Sequence, residues 1–230
     1  MKAAPLQLVL DLPHRQALGA EDFLVSRSNA EAVALVDRWP DWPHSAALVL
    51  GPRGAGKSHL AHVWQLRSNA TATPASALSE HSIGEFGTGA TLVVENLEGG
   101  IADERILFHL LNLAREAQGS ILLTSRLAPS DLSVQLPDLR SRLSATPVVK
   151  IEPPDGVLLR AVLVKLFADR QLDVEPHVVA FLAVRMERSL EAATRLVAEA
   201  DRLALAMQKK VTRPLAQLAL DAAARAGQME

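Results

Sequence analysis

The sequence predicts an α/β fold, a phosphate-loop domain on a parallel sheet, followed by a small all-α domain. Three observations carry this. Short apolar runs alternate with amphipathic helical stretches as far as residue 152. A glycine-rich loop joins the first of those runs to a helix. Beyond "EPPD" (152–155) every segment has helical spacing.

The elements follow in chain order. Residues 1–20 read as an extended tail, broken by Pro5 and Pro13. "SNAEAVALVDRW" (28–39) places Ser28 or Asn29 as the N-cap of a helix that Pro40 and Pro43 end. "AALVL" (46–50) is a buried strand, and "KSHLAHVWQL" (57–66) continues from the glycine loop as a helix. Residues 68–90, rich in Ser, Thr, Ala and Gly, give no element. "TLVVE" (91–95), "SILLTS" (120–125) and "TPVVKIE" (146–152) are further strands. "DERILFHLLNLAREA" (103–117) is an amphipathic helix stopped near Gly119. After the Pro153–Pro154 boundary, helices are predicted over 156–169, 175–186, 189–208 and 214–226.

Composition narrows the function. In 230 residues, 49% are apolar, enough for a core, yet no apolar run approaches the roughly 20 residues that span a bilayer. The amino terminus does not read as a signal peptide, and the absence of Cys removes disulfides and thiolate zinc sites. A cytoplasmic protein without membrane attachment is expected. The net charge of −2 and the dispersed Lys and Arg disfavour direct binding to duplex DNA, which needs a basic face. His59, His62 and His109 lie on predicted helices and lack metal-ligand spacing.

"GPRGAGKS" (51–58) fits G-x-x-x-x-G-K-[ST] between a strand and a helix. Gly54 and Gly56 let the backbone turn its N–H groups to phosphates. Lys57 brings a cation to the outer phosphate oxygens, and Ser58 offers a hydroxyl to Mg²⁺. The strand "LVVENLE" ends with Glu95 as its Mg²⁺-side carboxylate, but Asn96 stands where a water-polarising carboxylate is needed and is a poor base. Glu98, two residues on, is expected to face elsewhere. Binding of ADP or ATP with slow intrinsic hydrolysis is the expectation.

Several of these stretches resemble the AAA+ family of bacterial replication initiators, DnaA, and more closely its short regulatory Hda (HdaA) relatives. The resemblance runs through "DFLVSRSNAEAVALVDRW", "GPRGAGKSHL", the strand ending at Glu95, "ILLTSRLAPSDL", and "LPDLRSRL" followed by "VVKIEPPD". It implies a tail over 1–20, an AAA+ base domain over 21–153 and a helical lid over 154–230. It implies a nucleotide-binding set of Val25 and Asn29, the loop residues Pro52, Arg53, Gly54, Ala55, Gly56, Lys57, Ser58 and His59, and Arg188 from the lid. Ser58 and Glu95 would serve Mg²⁺. Ser125 takes the place of the family's polar sensor near the outer phosphate. Arg142 matches the arginine finger that reaches a neighbour's nucleotide, a surface ion pair being the alternative. One departure is Glu191, which sits where the lid usually has an arginine; a carboxylate there favours ADP or weak nucleotide binding, and Arg188 or Arg195 would have to substitute.

Within this resemblance "QLVLDLP" (7–13) looks like a motif that inserts into the bacterial sliding clamp, the polymerase III beta subunit. An extended segment shows Leu8, Leu10 and Leu12 on one face, with Gln7 offering an amide; an edge strand folded onto the domain is the other reading. Only "TRPLAQLALDAAARAGQME" follows the lid's long helix, where initiators would begin a DNA-binding domain, so initiator function is not expected. The implied role is regulatory: the chain would bind the clamp and DnaA, meet DNA only indirectly, and stimulate hydrolysis of ATP held by DnaA. Self-association is a further expectation. The alternative class is an independent AAA+ ATPase acting as a motor or helicase loader; a small-molecule kinase is more remote.

Overall fold

In the computed structural model, residues 23–227 are described. Five parallel strands form one sheet in the order β2-β3-β4-β1-β5: β1 Ala46–Leu50, β2 Thr71–Pro74, β3 Thr91–Glu95, β4 Ser120–Ser125 and β5 Val148–Lys150. The ladder pairs Leu50 with Ser125 on one side and with Lys150 on the other.

Strand alternation feeds two apolar layers. Leu48, Leu92, Val94, Ile121 and Leu123 face α3 (Glu80–Glu85), α4 (Glu104–Glu116) and α5 (Pro137–Ser144). Ala47, Val49, Val93 and Leu122 face α1 (Ala30–Arg38) and α2 (Lys57–Ser68). Each fully buried leucine in these layers contributes about 1.5–3 kcal/mol relative to exposure. In the second layer the indole of Trp64 is fully buried; Trp42 stacks on it at 5.1 Å and Trp39 meets it edge-on at 6.1 Å.

The chain then forms four helices with a core of their own: α6 Gly156–Asp169, α7 Pro176–Arg185, α8 Leu190–Met207 and α9 Arg213–Gly227. Side-chain caps fix three helix starts. Asp103 accepts from the backbone N–H of Arg105 and Ile106, Asp155 from Val157 and Leu158, and Ser189 from Ala192. Asn29 precedes α1 without capping it: its Oδ1 accepts from Ser26 N, and its Nδ2 donates to Leu24 O. Among the described residues no helix is long and apolar enough to cross a membrane.

The predicted strands and helices are present, the last strand shortened to three residues. Three elements were not foreseen. β2 is a largely exposed edge strand, "TATP", with no apolar run to betray it. α3 is only six residues long, and α5 begins at Pro137, inside a stretch read only as a motif.

Candidate nucleotide site

The phosphate loop leaves β1 and closes into α2. Gly54 and Gly56 take φ of 70° and 103°, a region that residues with a Cβ rarely enter. A side chain at Gly54 would also collide with Ser189 Oγ at the start of α8. Ala55 is buried beneath the loop, while Pro52 lends its carbonyl to Lys57. The Lys57 ammonium donates to Gly51 O at 2.8 Å and to Pro52 O at 3.0 Å. Burial holds its pKa below the ordinary value; Glu98 and Glu95 oppose that shift and Arg126 adds to it.

Around the loop lies a cavity of about 770 Å³, lined on the loop side by Arg53, Lys57, Ser58 and His59. Across from them stand Asn96, Glu98 and Arg126, and from α8 come Leu190, Glu191 and Thr194. A smaller cavity of about 270 Å³ shares His59, Leu190 and Thr194 with it and is otherwise walled by Phe23, Leu24 and Asn29 on one side and by α6 on the other. The phosphate loop thus opens toward a more apolar recess, closed partly by the edge of Phe23 against His59, ring centroids 5.0 Å apart. Val25 packs onto the core beside this recess without lining it.

At the carboxyl end of β3 the backbone leaves the extended conformation. Asn96 adopts a left-handed conformation, φ 59° and ψ 53°, with its N–H donated to Thr124 Oγ1. A single 3-10 turn, Leu97–Gly99, follows and swings Glu98 into the cavity. The expectation that Glu98 faces elsewhere is therefore wrong. Its carboxylate accepts from Arg126 Nε at 2.6 Å and from Arg126 N at 3.1 Å. Burial pushes the Glu98 pKa up, but hydrogen bonds from its own backbone and from Arg126 outweigh that and hold it below the ordinary range.

Glu95 keeps one carboxylate oxygen buried without a hydrogen-bond partner. Ser58 presents an exposed hydroxyl at the start of α2. Two such oxygens suit Mg²⁺, which keeps several waters and rides with phosphates. The described residues hold no cluster of three or more His, Cys, Asp or Glu that would cage a metal alone.

The other predicted residues separate. Ser125 is fully buried, and its hydroxyl is engaged with Leu127, donating to the carbonyl at 2.8 Å and accepting from the N–H at 3.0 Å. It lies beneath the cavity, whereas its neighbour Arg126 lines it. From α8, Glu191 accepts both Nε and Nη2 of Arg53, at 3.0 and 2.8 Å, and Nη1 of Arg195 at 2.8 Å. The Arg53 hydrogen bonds pull the Glu191 pKa below the ordinary range. Leu190 N donates to Gly54 O at 2.8 Å, tying the start of α8 to the loop itself. Arg188 is exposed just before α8 and lines neither cavity.

Arg142 stands apart. Its Nη2 donates to Asn112 Oδ1 on α4 at 2.8 Å, and no carboxylate pairs with it among the described residues. It lines a cavity with Ser45 and Pro147, which precede β1 and β5, so it sits by the amino ends of the strands, away from the phosphate loop. Gln7, Leu8, Leu10 and Leu12 lie outside the described residues. Arg126, Phe23, Leu190 and Thr194 are cavity residues that sequence reasoning missed; for Arg126 its place directly after a strand end beside the loop was the available signal.

No protein-family model matches the chain. It is 31% identical over 212 residues to the chromosomal replication initiator protein DnaA of Symbiobacterium thermophilum, covering 80% of this chain and 46% of that protein. It is 29% identical over 196 residues to DnaA of Cutibacterium acnes, covering 74% and 39%. The chain thus spans less than half the length of these relatives. Among solved structures it resembles domain III of the Thermotoga maritima replication initiation protein DnaA, with TM-score 0.73 and 19% identity over 88% of this chain and 95% of that one. A replication initiator DnaA bound to AMPPCP and single-stranded DNA superposes with TM-score 0.65 and 19% identity, over 78% and 63%. The Thermotoga maritima RuvB Holliday junction branch migration motor gives 0.69 and 16%, over 86% and 70%.

Proposed function

We propose, from the premise that this chain is an α/β AAA+ protein homologous to DnaA, that it regulates the start of bacterial chromosome replication. It binds ADP or ATP at the Gly51–Ser58 loop, with the base of the nucleotide in the Phe23–Asn29 recess. It docks on the sliding clamp through residues 7–12 and lends Arg142 to ATP held by DnaA, in the manner of Hda-type inactivators. DnaA supplies the phosphate-loop lysine, the metal and the water-positioning groups. Arg142 supplies positive charge as the phosphoryl group departs, a contribution worth orders of magnitude in rate where arginine fingers act.

The observation that carries this reading is the place of Arg142, away from the chain's own phosphate loop and held by a neutral amide instead of a carboxylate. A guanidinium held that way keeps its charge available for a neighbour. The cavity itself supports holding over hydrolysis: Asn96 cannot take a proton, and Glu98 is occupied by Arg126. AMPPCP in a DnaA structure of this fold supports nucleotide as the ligand.

The decisive experiment measures ATP hydrolysis by DnaA with this chain, clamp and DNA. Stimulation is expected, and Arg142→Ala should remove it while clamp binding persists. Stimulation by the Arg142→Ala chain would overturn the assignment. Glu98 in the cavity and the likeness to a RuvB motor favour a second reading, an independent ATPase. Vigorous turnover by the chain alone, without DnaA, would establish that reading instead.

A further inference from the structure

A cavity of about 560 Å³ lies among α7, α8 and α9, apart from the one around the phosphate loop. Its volume is in the range of small-molecule sites. The floor is apolar, with Met186 and Leu196 buried and Leu220 half-buried. Around it stand two guanidiniums, Arg185 and Arg195, and two carboxylates, Glu187 and Asp221. These four charges form no ion pair with one another, although Glu199 and Arg202, one turn apart on α8, do pair.

Three of the four are held in place by groups other than each other. Arg195 Nη1 donates to Glu191 Oε1 at 2.8 Å, and Glu191 is itself bound by Arg53. The Arg185 guanidinium lies over the Phe181 ring at 4.2 Å, with Arg213 over the same ring at 4.7 Å. Asp221 Oδ1 accepts from Gln217 Nε2 at 2.8 Å. Arg195 carries the sharpest signal. Its Nε–Nη2 edge, which takes a carboxylate side-on, has no acceptor among the described residues, and Nε is buried. A buried charged donor without an acceptor is costly, and a carboxylate on that edge removes the cost.

We infer that this cavity binds a small zwitterion with an apolar side chain, an α-amino acid or a short peptide of such residues. The ligand carboxylate goes to Arg195, its ammonium to Asp221 with Glu187 beside, and its side chain onto Met186, Leu196 and Leu220. Charge complementarity selects this class. A plain anion would meet the two carboxylates, and a plain cation the two guanidiniums; a molecule with both charges satisfies both. Because the guanidinium and Asp221 are already oriented, little ordering is left for binding to offset.

The test is calorimetric titration of the full chain with leucine and with the dipeptide leucyl-leucine. Binding of either with a Kd of about 1 mM or tighter is expected for ligands of this size, and the tighter one gives the length the site takes. Leucinamide, which lacks the carboxylate, and 4-methylvalerate, which lacks the ammonium, should each bind about tenfold or more weakly than leucine. Arg195→Gln should weaken leucine about tenfold but leucinamide less than about twofold, a split that a merely structural role for Arg195 does not produce. Ala224→Trp fills the cavity from an exposed lining position and should abolish binding at an unchanged thermal midpoint. No binding of leucine or leucyl-leucine up to about 10 mM would overturn the inference. So would 4-methylvalerate binding as tightly as leucine, equal losses for leucine and leucinamide in Arg195→Gln, or unchanged leucine affinity in Ala224→Trp.

Discussion

The cavity carries an arginine–glutamate pair on each of two rims, and the pairs are built differently. On the sheet rim Glu98 is nearly buried, bonded to a backbone N–H, and joined to Arg126 across neighbouring strand ends. On the helical rim Arg53 and Glu191 have side chains 60% and 36% exposed and bridge two separate cores, one under the loop and one among α6–α9. An exposed pair is screened by salt and contributes about 0–1 kcal/mol. The sheet rim is therefore a fixture, whereas the helical rim is a contact that small changes make or break. A site assembled this way can keep its phosphate chemistry constant while the helices over it move.

Lys57→Ala should have the largest effect of any single change. It removes the buried cation common to both rims, and binding of ADP or AMPPCP should weaken about 100-fold, read by titration. A Gly54 substitution comes next, because it attacks the joint between loop and helices. Gly54→Ala places a Cβ at positive φ against Ser189 Oγ, and about 1–3 kcal/mol of stability should be lost, read by denaturant unfolding. Unchanged stability would mean that α8 does not rest on the loop in solution.

pH tests the same contrast. The folded pKa values of Glu98 and Glu191 are both depressed, so both pairs stabilise above the ordinary glutamate value of about 4.3. That stability is lost as pH falls through the lowered folded values. Glu98→Gln should flatten the acid limb of the stability curve more than Glu191→Gln, and the reverse order would invert the comparison. The smallest effect belongs to Glu191→Gln at neutral pH. It should shift relative affinity toward AMPPCP by about twofold, and 1 M salt should erase the shift.

The strands β1, β3 and β4 were legible because they are buried on both faces, which forces unbroken apolar runs. β2 was not, since an exposed edge needs no such run. In the site, the loop was legible because its chemistry is local: glycines, a lysine and a hydroxyl within eight residues. Glu98 was misjudged because the chain was expected to lead it away from the site beyond Asn96, whereas one left-handed residue and the 3-10 turn after it bring it back. Arg126 and Glu191 gain their meaning from partners 28 and 138 residues distant, a relation that no spacing rule contains.

The tryptophan cluster has a practical consequence. Trp39, Trp42 and Trp64 are the only tryptophans, the chain has no tyrosine, and all three pack together under the sheet. Indole fluorescence therefore reports melting of that layer and is blind to α6–α9, whereas far-ultraviolet circular dichroism sees both. Coincident transitions by the two probes would mean that the layers unfold as one cooperative body; separated transitions would give the strength of their coupling directly, without any label.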